Sequence, residues 1–294
     1  FVQATDDFVA AVLERLTALG LRDTHLGGLS DLVRAERADD AAAALRRAEA
    51  LLGLDPDEVE ASDVLALRDS ASWTGPSAAD EVLAQARYPS AAETLQWLEN
   101  HAVQPDHTLN IGALEPFACA GASLPGARPW ERGVELARRV RAGLGLGVEA
   151  VDLDALVHAK VSHASPPRPG RPLAAGFTGV AAFGSLAVVL KRRSVAGRRF
   201  EIARVLADAL CRPEGDVVLP VTDRATVRQK FQRAFAQELL SPIDGLMGMV
   251  GLPRPAEAEL EDAAEYYGVS PWTVRSALLN RGLVSRSYLP ERIG

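Results

Sequence analysis

The stretch AVVLKRRSVAGRRFEIARVLADAL, from Ala187 to Leu210, decides the fold because it joins a short buried strand to a long helix. It overlaps the apolar run Leu186–Leu190, whose length and Val and Leu content are typical of a strand that faces a core. The run Gly176–Gly184, rich in Ala, Phe and Gly, predicts a second strand before it. After a basic turn, Arg199–Leu210 follows a helical pattern. These runs are the only convincing strand region of the sequence.

Helical periodicity dominates the rest of the chain. Between His101 and Trp130, proline and glycine interrupt every apolar period, which is typical of a linker. The class is therefore predicted to be α+β and mainly helical, with a small sheet. The further helices are predicted at residues 8–16, Asp39–Leu54, 57–67, 78–87, 90–101, Trp130–Leu144, Thr226–Leu240, Ala256–Tyr267 and Pro271–Arg281.

Composition restricts the class of protein further. The 294 residues suggest about two domains, and 48% hydrophobic with 24% charged residues is typical of a globular chain. The longest apolar run, Gly179–Leu190, is shorter than the roughly 20 residues that span a bilayer. A net charge of −7 excludes a broad basic field for nucleic acid, although a local basic patch stays open. Cys119 and Cys211 are far apart in the sequence and give no disulfide framework, which predicts a cytoplasmic protein.

Four stretches occur in the order typical of one known family. They are WERGVELARRVRAGLGL (Trp130–Leu146), the stretch Ala187–Leu210, RQKFQRAFAQELLSP (Arg228–Pro242) and LEDAAEYYGVSPWTVRSALLNRGLV (Leu260–Val284). Together they resemble a helix, the strand with its active-site helix, a second helix, and the closing helix-turn-helix of the ImmA/IrrE metallopeptidases. This resemblance covers roughly residues 130–284. It implies a small sheet with zincin-like helices.

The residues that would make the chain a peptidase are replaced. The active-site helix of the family carries H-E-x-x-H, in which two histidines bind zinc and the glutamate is the general base. The corresponding positions here are Arg204, Val205 and Asp208, and the third ligand of the family, a glutamate, corresponds to Gln229. The resemblance therefore implies a degenerate zinc site without a metal or another cofactor.

The replacements have a physical interpretation. Arg204 and Asp208 stand four residues apart, so they are expected to pair along one face of the helix. A guanidinium cannot bind a metal and repels zinc, and Val205 cannot transfer a proton. We therefore expect an inactive pseudopeptidase that regulates or binds a protein or peptide partner through the former substrate cleft. The residues expected to line this cleft are Arg204, Asp208, Gln229, Arg233 and Glu238.

Two alternatives stay open for this helix. One is an ordinary helix with a surface ion pair, if the register of the resemblance is wrong. The other is an enzyme with a rebuilt site, in which Asp208 acts with Cys211 or a nearby histidine. Asp208 and Cys211, with His158 or His163 approaching them, could also form a different metal site. Isolated His and Asp side chains are more often solvated or satisfied than reactive, so the second alternative is disfavoured.

A third hypothesis is a DNA-binding regulator. Ser270 and Pro271 are typical of a helix start, and Gly282 follows the predicted helix, so this segment reads as a helix-turn-helix. The residues that could contact DNA or another anion are Arg192, Arg193, Trp272, Thr273 and Arg275. The preceding helix is rich in glutamate, which disfavours phosphate contact, so packing is the preferred interpretation. We expect a binding protein rather than a reader of DNA.

Three domains are predicted. Residues 1–125 form a helical N-terminal domain, residues 126–255 the peptidase-like domain, and residues 256–294 the helix-turn-helix-like segment. The stretch Ala42–Val59 is similar to the last helices of repressor-like domains that often precede ImmA/IrrE modules. No clear recognition helix precedes it, so the first domain is expected to be at most a decayed repressor-like head.

Overall fold

The computed structural model describes residues 2–119, 128–160, 164–178 and 184–285. The chain divides into two units, residues 1–67 and residues 68–294. The structure is mainly helical with one small antiparallel sheet, which confirms the α+β class. None of the helices in the described part of the chain has the length and apolar character needed to cross a bilayer.

The first unit is helical. Its helices are α1 (Val2–Ala18), α2 (His25–Ala38), α3 (Asp40–Leu52) and the start of α4 (Ala61–Ala71). The predicted helix Asp39–Leu54 is confirmed as α3: the side chain of Asp39 caps its start, and Gly53 ends it with a φ of 78°. Arg46 on α3 pairs with Glu49 and Asp57 and so fixes the turn that follows the helix.

The second unit contains the sheet and the remaining helices. Short 3₁₀ helices cover Ser72–Thr74 and Gly112–Phe117. The other elements, in chain order, are α5 (Pro76–Ala86), α6 (Ala91–Val103), β1 (His107–Asn110), α7 (Pro129–Gly143), α8 (Leu153–Leu156), β2 (Ala174–Phe177), β3 (Ser185–Val189), α9 (Val195–Leu210), β4 (Val218–Val221), α10 (Val227–Leu240), α11 (Ile243–Met249), α12 (Glu257–Tyr267) and α13 (Pro271–Asn280).

The sheet has the order β1-β3-β2-β4, with every neighbouring pair antiparallel. The predicted strand Leu186–Leu190 is confirmed as β3, whereas β1 and β4 were not predicted from the sequence. Strand β1 lies inside the segment that was predicted to be a linker, and it pairs His107 with Val188. It has only four residues, one of them buried, so it leaves no apolar alternation to detect. Residues 120–127 of that segment lie outside the described residues.

The pairing of β1 also bears on the division of the chain. Helices α5 and α6 and strand β1, which the sequence assigned to a domain over residues 1–125, belong to the second unit. The reason is physical, because β1 completes the edge of the sheet beside β3 and cannot be separated from it. The division therefore falls near Leu67 rather than in the segment rich in proline and glycine.

The core of the second unit is a stack of helices on the sheet. Helix α9 packs against β2 and β4, α10 packs against α9, and α7 packs against α10. The close approach of α7 and α10 depends on Gly133, because a Cβ there would lie 2.4 Å from the carbonyl oxygen of Phe231. The two backbones thus meet with no side chain between them.

The predicted helix-turn-helix is confirmed as a structural unit. Helix α12 ends at Gly268, which has a φ of 62°, and α13 begins after Ser270, whose hydroxyl accepts a hydrogen bond from the backbone N–H of Thr273. Pro271 occupies the first turn, where the missing N–H has no cost. Val274, Ala277 and Leu278 are buried, so one face of α13 belongs to the core.

A substitution tests the contact between α7 and α10. Gly133→Ala forces a methyl group against the backbone of Phe231 and Phe235, so we expect the free energy of unfolding to fall by about 2 kcal/mol. Urea unfolding followed by circular dichroism measures the change. Gly248→Ala is the matched control, since nothing lies within 4 Å of its Cβ, and it should be neutral or slightly stabilising. Equal stability of both variants would contradict the close contact.

Candidate functional site

Helices α9 and α10 carry Arg204, Val205, Asp208 and Gln229, for which the sequence resemblance implies a degenerate zinc site. The hydroxyl of Ser194 caps α9, and that of Thr226 caps α10 by accepting a hydrogen bond from the backbone N–H of Gln229. Since α10 packs against α9, Gln229 is brought to the face of α9 that presents Arg204. The structure thus brings two of these positions into direct contact.

The Arg204 guanidinium lies inside the protein with 6% of the residue exposed. Its Nη2 donates a hydrogen bond to the carbonyl oxygen of Thr222 at 2.7 Å and another to Oε1 of Gln229. Burial, followed by the nearby charge of Arg233, lowers the pKa of Arg204 to about 9. The group is still charged at neutral pH.

Gln229 is the centre of the buried hydrogen bonds. Its Oε1 also accepts from the backbone N–H of Thr222 at 3.0 Å, so this oxygen joins Arg204 to the end of β4. Its Nε2 donates to the carbonyl oxygen of Pro220 at 3.0 Å and to the carboxylate of Glu81 at 3.1 Å. Oxygen and nitrogen of this amide are thus both satisfied by protein atoms.

The prediction of an ion pair between Arg204 and Asp208 is wrong. Asp208 instead pairs with Arg228 on α10, whose Nη2 lies 2.6 Å from Oδ2 and whose Nε lies 2.9 Å from both carboxylate oxygens. Helical spacing allowed the first pair, but a fork of donors from the facing helix matches a carboxylate better. Asp208 is 2% exposed, so the alternative of a surface ion pair is wrong as well.

Arg228 joins a second carboxylate to the first. Its Nη1 lies 2.6 Å from Oδ2 of Asp216, in the connection between α9 and β4. Burial alone would lower the pKa of Arg228, but Asp208 and Asp216 raise it above its ordinary value. Burial raises the pKa of Asp208, against the opposing effect of Arg228. The guanidinium of Arg228 therefore pairs with two buried carboxylates.

Helix α5 closes this cluster. The other oxygen of Asp216 accepts hydrogen bonds from the backbone N–H groups of Ser77 and Ala78, at 3.0 and 3.1 Å, in the first turn of α5. Gly75 precedes the helix with a φ of 109°, and a Cβ there would lie 2.3 Å from Cα of Asp216. The positive end of the α5 dipole thus helps to stabilise the second carboxylate. Sequence reasoning missed this contact, because nothing in the sequence links α5 to Asp216.

Val205, which the sequence resemblance aligns with a general base, is fully buried. Its Cγ1 packs over β2, where a Cβ added to Gly176 would lie 2.6 Å from it. A methyl group in contact with the sheet has no proton to exchange, and the geometry leaves no space for a larger side chain on Gly176. This position contributes packing only.

The five residues expected to line a partner cleft do not form one surface. Arg204, Asp208 and Gln229 are 6%, 2% and 0% exposed, and they lie beneath α5. Arg233 and Glu238 instead line an open cavity of about 710 Å³ between α7, α10 and α13. We call this cavity the three-helix groove.

The three-helix groove carries more cations than carboxylates. Trp130 is 43% exposed and stacks under the guanidinium of Arg128, and Glu238 pairs with Arg138 at 2.8 Å. The side-chain ammonium of Lys230 makes no hydrogen bond or ion pair with the residues that the structure describes. The charged residues of the lining are Arg128, Arg138, Lys230, Arg233, Arg281, Glu131, Glu135 and Glu238.

The residues that the sequence resemblance aligns with metal ligands do not fit zinc. A guanidinium is not a metal ligand, both oxygens of Asp208 accept from Arg228, and the amide of Gln229 is fully occupied. Within the described ranges, no group of three or more His, Cys, Asp or Glu residues is placed to hold a metal ion.

The residues of the rebuilt-enzyme alternative are not brought together into a reactive pair. Asp208 is held by Arg228, and Cys211 at the end of α9 contacts Cys119. His158 is exposed in the turn after α8, and His163 lies outside the described residues. Among the described residues of this alternative, none is therefore placed to act as a base toward a nucleophile.

The basic residues proposed to contact DNA are largely neutralised. Lys191 and Arg192 both pair with Asp223, at 3.0 and 3.1 Å, and Arg275 pairs with Glu257. Arg193 is exposed, and Trp272 is 45% exposed at the start of α13. The hydroxyl of Thr273 is hydrogen bonded to that of Ser270, within the cap of the helix. Two of the three cations in this set are therefore already paired.

Comparison with known proteins adds no family assignment: no protein-family model matches the chain, and no curated protein is significantly similar to it.

A charge deletion tests the buried cluster. Arg228→Met leaves two carboxylates without their cation, so we expect the free energy of unfolding to fall by about 3–5 kcal/mol at pH 7. Arg139→Met is the matched control, because Arg139 is exposed on α7, and its effect should stay within about 0.5 kcal/mol. Chemical unfolding of the three proteins compares them. A loss no greater than that of the control would show that the cluster is not held by Arg228.

Proposed function

We propose that this protein is a catalytically inactive, ImmA/IrrE-like pseudopeptidase that acts as a regulatory binding protein. The observation that carries the proposal is the buried Arg204 guanidinium, held by Gln229 and Thr222 at the residue that the sequence resemblance aligns with a zinc ligand. A fixed buried cation at this position opposes the binding of a divalent metal. Without the metal, neither a water nucleophile nor an oxyanion would be stabilised.

Helix α5 supports the same conclusion from the other side. It places Glu81 and Ser77 beside the cluster, where Glu81 accepts a hydrogen bond from Gln229 and Ser77 one from Arg228 on α10. Nε of Arg204 has no hydrogen-bond partner, but it is buried, so a substrate has little access to it. Partner binding is therefore proposed away from these residues.

The three-helix groove is the proposed partner surface. It retains Arg233 and Glu238 from the cleft predicted by sequence, and it joins the peptidase-like helices α7 and α10 to α13 of the helix-turn-helix. Its five cations outnumber its three carboxylates, and Trp130 offers an exposed aromatic face. This chemistry favours an acidic peptide segment with apolar residues over a neutral one. In this proposal the protein acts in the cytoplasm, and DNA is the less favoured partner.

Metal analysis tests the inactive site. After incubation with zinc and gel filtration, we expect well below one equivalent of zinc per chain and no proteolysis that a chelator abolishes. The double variant Cys119→Ser/Cys211→Ser is the control, because thiols bind zinc without any peptidase site. One equivalent of zinc in this variant, or chelator-sensitive cleavage by the natural chain, would overturn the proposal.

A binding measurement tests the groove. A labelled short peptide rich in Glu and Leu should bind, and Lys230→Glu should raise its Kd about tenfold, because charge reversal replaces attraction by repulsion. Fluorescence anisotropy at low salt measures both affinities. Arg139→Glu carries the same charge change outside the groove and should alter the Kd less than about twofold.

The corresponding Gln-Leu peptide checks the role of charge. Equal affinity for the two peptides, or equal loss in Lys230→Glu and Arg139→Glu, would contradict the proposed surface. A duplex DNA probe in the same assay tests the alternative partner. The affinity for DNA would fall steeply with added salt, and Lys230→Glu would not change this dependence.

A further inference from the structure

The two cysteines of the chain, far apart in the sequence, are neighbours in the fold. The backbone N–H of Cys119 donates a hydrogen bond to the carbonyl oxygen of Leu210, the residue before Cys211, at 2.7 Å. The thiol of Cys119 lies close enough to that of Cys211 to raise its pKa. Cys119 follows the 3₁₀ helix Gly112–Phe117, and Cys211 ends α9. The fold thus joins two segments at a pair of thiols.

The surroundings of the pair suit a reduced resting state that reagents can reach. Both cysteines are free and half-buried, and both pack at the margin of the main core. Burial raises the pKa of the Cys211 thiol, and the adjacent Cys119 raises it further. Neither sulfur contacts the buried cluster around Arg228 or lines the three-helix groove.

We propose that Cys119 and Cys211 form a reversible modification site, at which a small-molecule disulfide such as oxidised glutathione converts the two thiols into an intramolecular disulfide. The geometric basis is the 2.7 Å backbone hydrogen bond that joins Cys119 to Leu210, the residue directly before Cys211. Only two cysteines occur in the 294 residues, so the pair has no competing partner within the chain.

The reaction is a two-step thiol–disulfide exchange. The Cys119 thiolate attacks one sulfur of oxidised glutathione, forms a mixed disulfide and releases one glutathione thiolate. Cys211 then loses its proton to solvent and attacks Sγ of Cys119, which releases the second glutathione. The two cysteine sulfurs are oxidised, oxidised glutathione is reduced to two molecules of glutathione, and no other co-reactant is needed.

The order of the two steps follows from the environment of Cys211. Because its pKa is high, Cys211 presents little thiolate to an external disulfide, so Cys119 is the sulfur that reacts first. The mixed disulfide removes the Cys119 thiol that raises the pKa of Cys211. Formation of the first bond therefore favours the second.

The bond would tie the end of the 3₁₀ helix Gly112–Phe117 to the end of α9. A cross-link between residues so distant in the chain restricts the unfolded state strongly, provided that the native geometry is not strained. The oxidised protein should therefore unfold at a higher temperature than the reduced protein. Helix α9 also carries Arg204 and Asp208, so oxidation would fix the helix that holds the degenerate site.

The experiment uses the full chain, reduced and then incubated with excess oxidised glutathione. Intact mass and thiol titration in denaturant should give a monomer that has lost two hydrogens and both free thiols, without attached glutathione. Dithiothreitol should restore both thiols. Thermal unfolding should show a Tm higher by about 5 °C or more in the oxidised form.

Single-cysteine variants identify the order of attack. Cys211→Ser should accumulate a glutathione adduct on Cys119, whereas Cys119→Ser should form its adduct at least about tenfold more slowly. Circular dichroism checks that both variants fold. Attachment of glutathione to both cysteines of the natural chain, a disulfide-linked dimer, or two unreacted thiols would overturn the proposal. Equal adduct rates in the two variants would overturn the order of attack.

Discussion

The structure of the second unit depends on one constraint. Arg228 must neutralise the two buried carboxylates of Asp208 and Asp216. Asp208 comes from α9 and Asp216 from the connection after it, and both bind the same guanidinium on α10. The other carboxylate oxygen of Asp216 accepts hydrogen bonds from the backbone N–H groups of Ser77 and Ala78 at the N-terminus of α5. Buried charges of this kind require close geometry, so they fix the positions of three helices together.

The proposed loss of catalysis and the proposed gain of a binding surface have a common origin in α10. One face of this helix presents Arg228 and Gln229 to α9 and α5, and the adjacent face presents Lys230 and Arg233 to the three-helix groove. Arg228 and Gln229 on the first face are hydrogen bonded to protein groups, whereas the side-chain ammonium of Lys230 on the second has no partner among the described residues. In this proposal, the helix that would supply a metal ligand in an active peptidase instead lines a docking surface.

Sequence patterns located the long helices and β3 because apolar spacing and caps such as Ser270 are local properties. Strand β1 escaped prediction because four residues with one buried side chain carry no period. The candidate site was harder to predict. Helical spacing correctly placed Arg204 and Asp208 on one helix, but the partner of Asp208 comes from α10. Which of several arginines reaches a buried carboxylate is decided by helix packing, and a single sequence contains no record of it.

The capping of α5 by Asp216 has a practical consequence for dissection of the chain. A fragment that starts at residue 126, at the boundary suggested by proline and glycine, would lack α5 and β1. It would uncover the amide of Gln229, the second carboxylate and an unpaired edge of β3. Such a fragment should aggregate, whereas one that starts at residue 68 retains every hydrogen bond described for the cluster. Expression boundaries should therefore follow the buried charges rather than the composition of the loops.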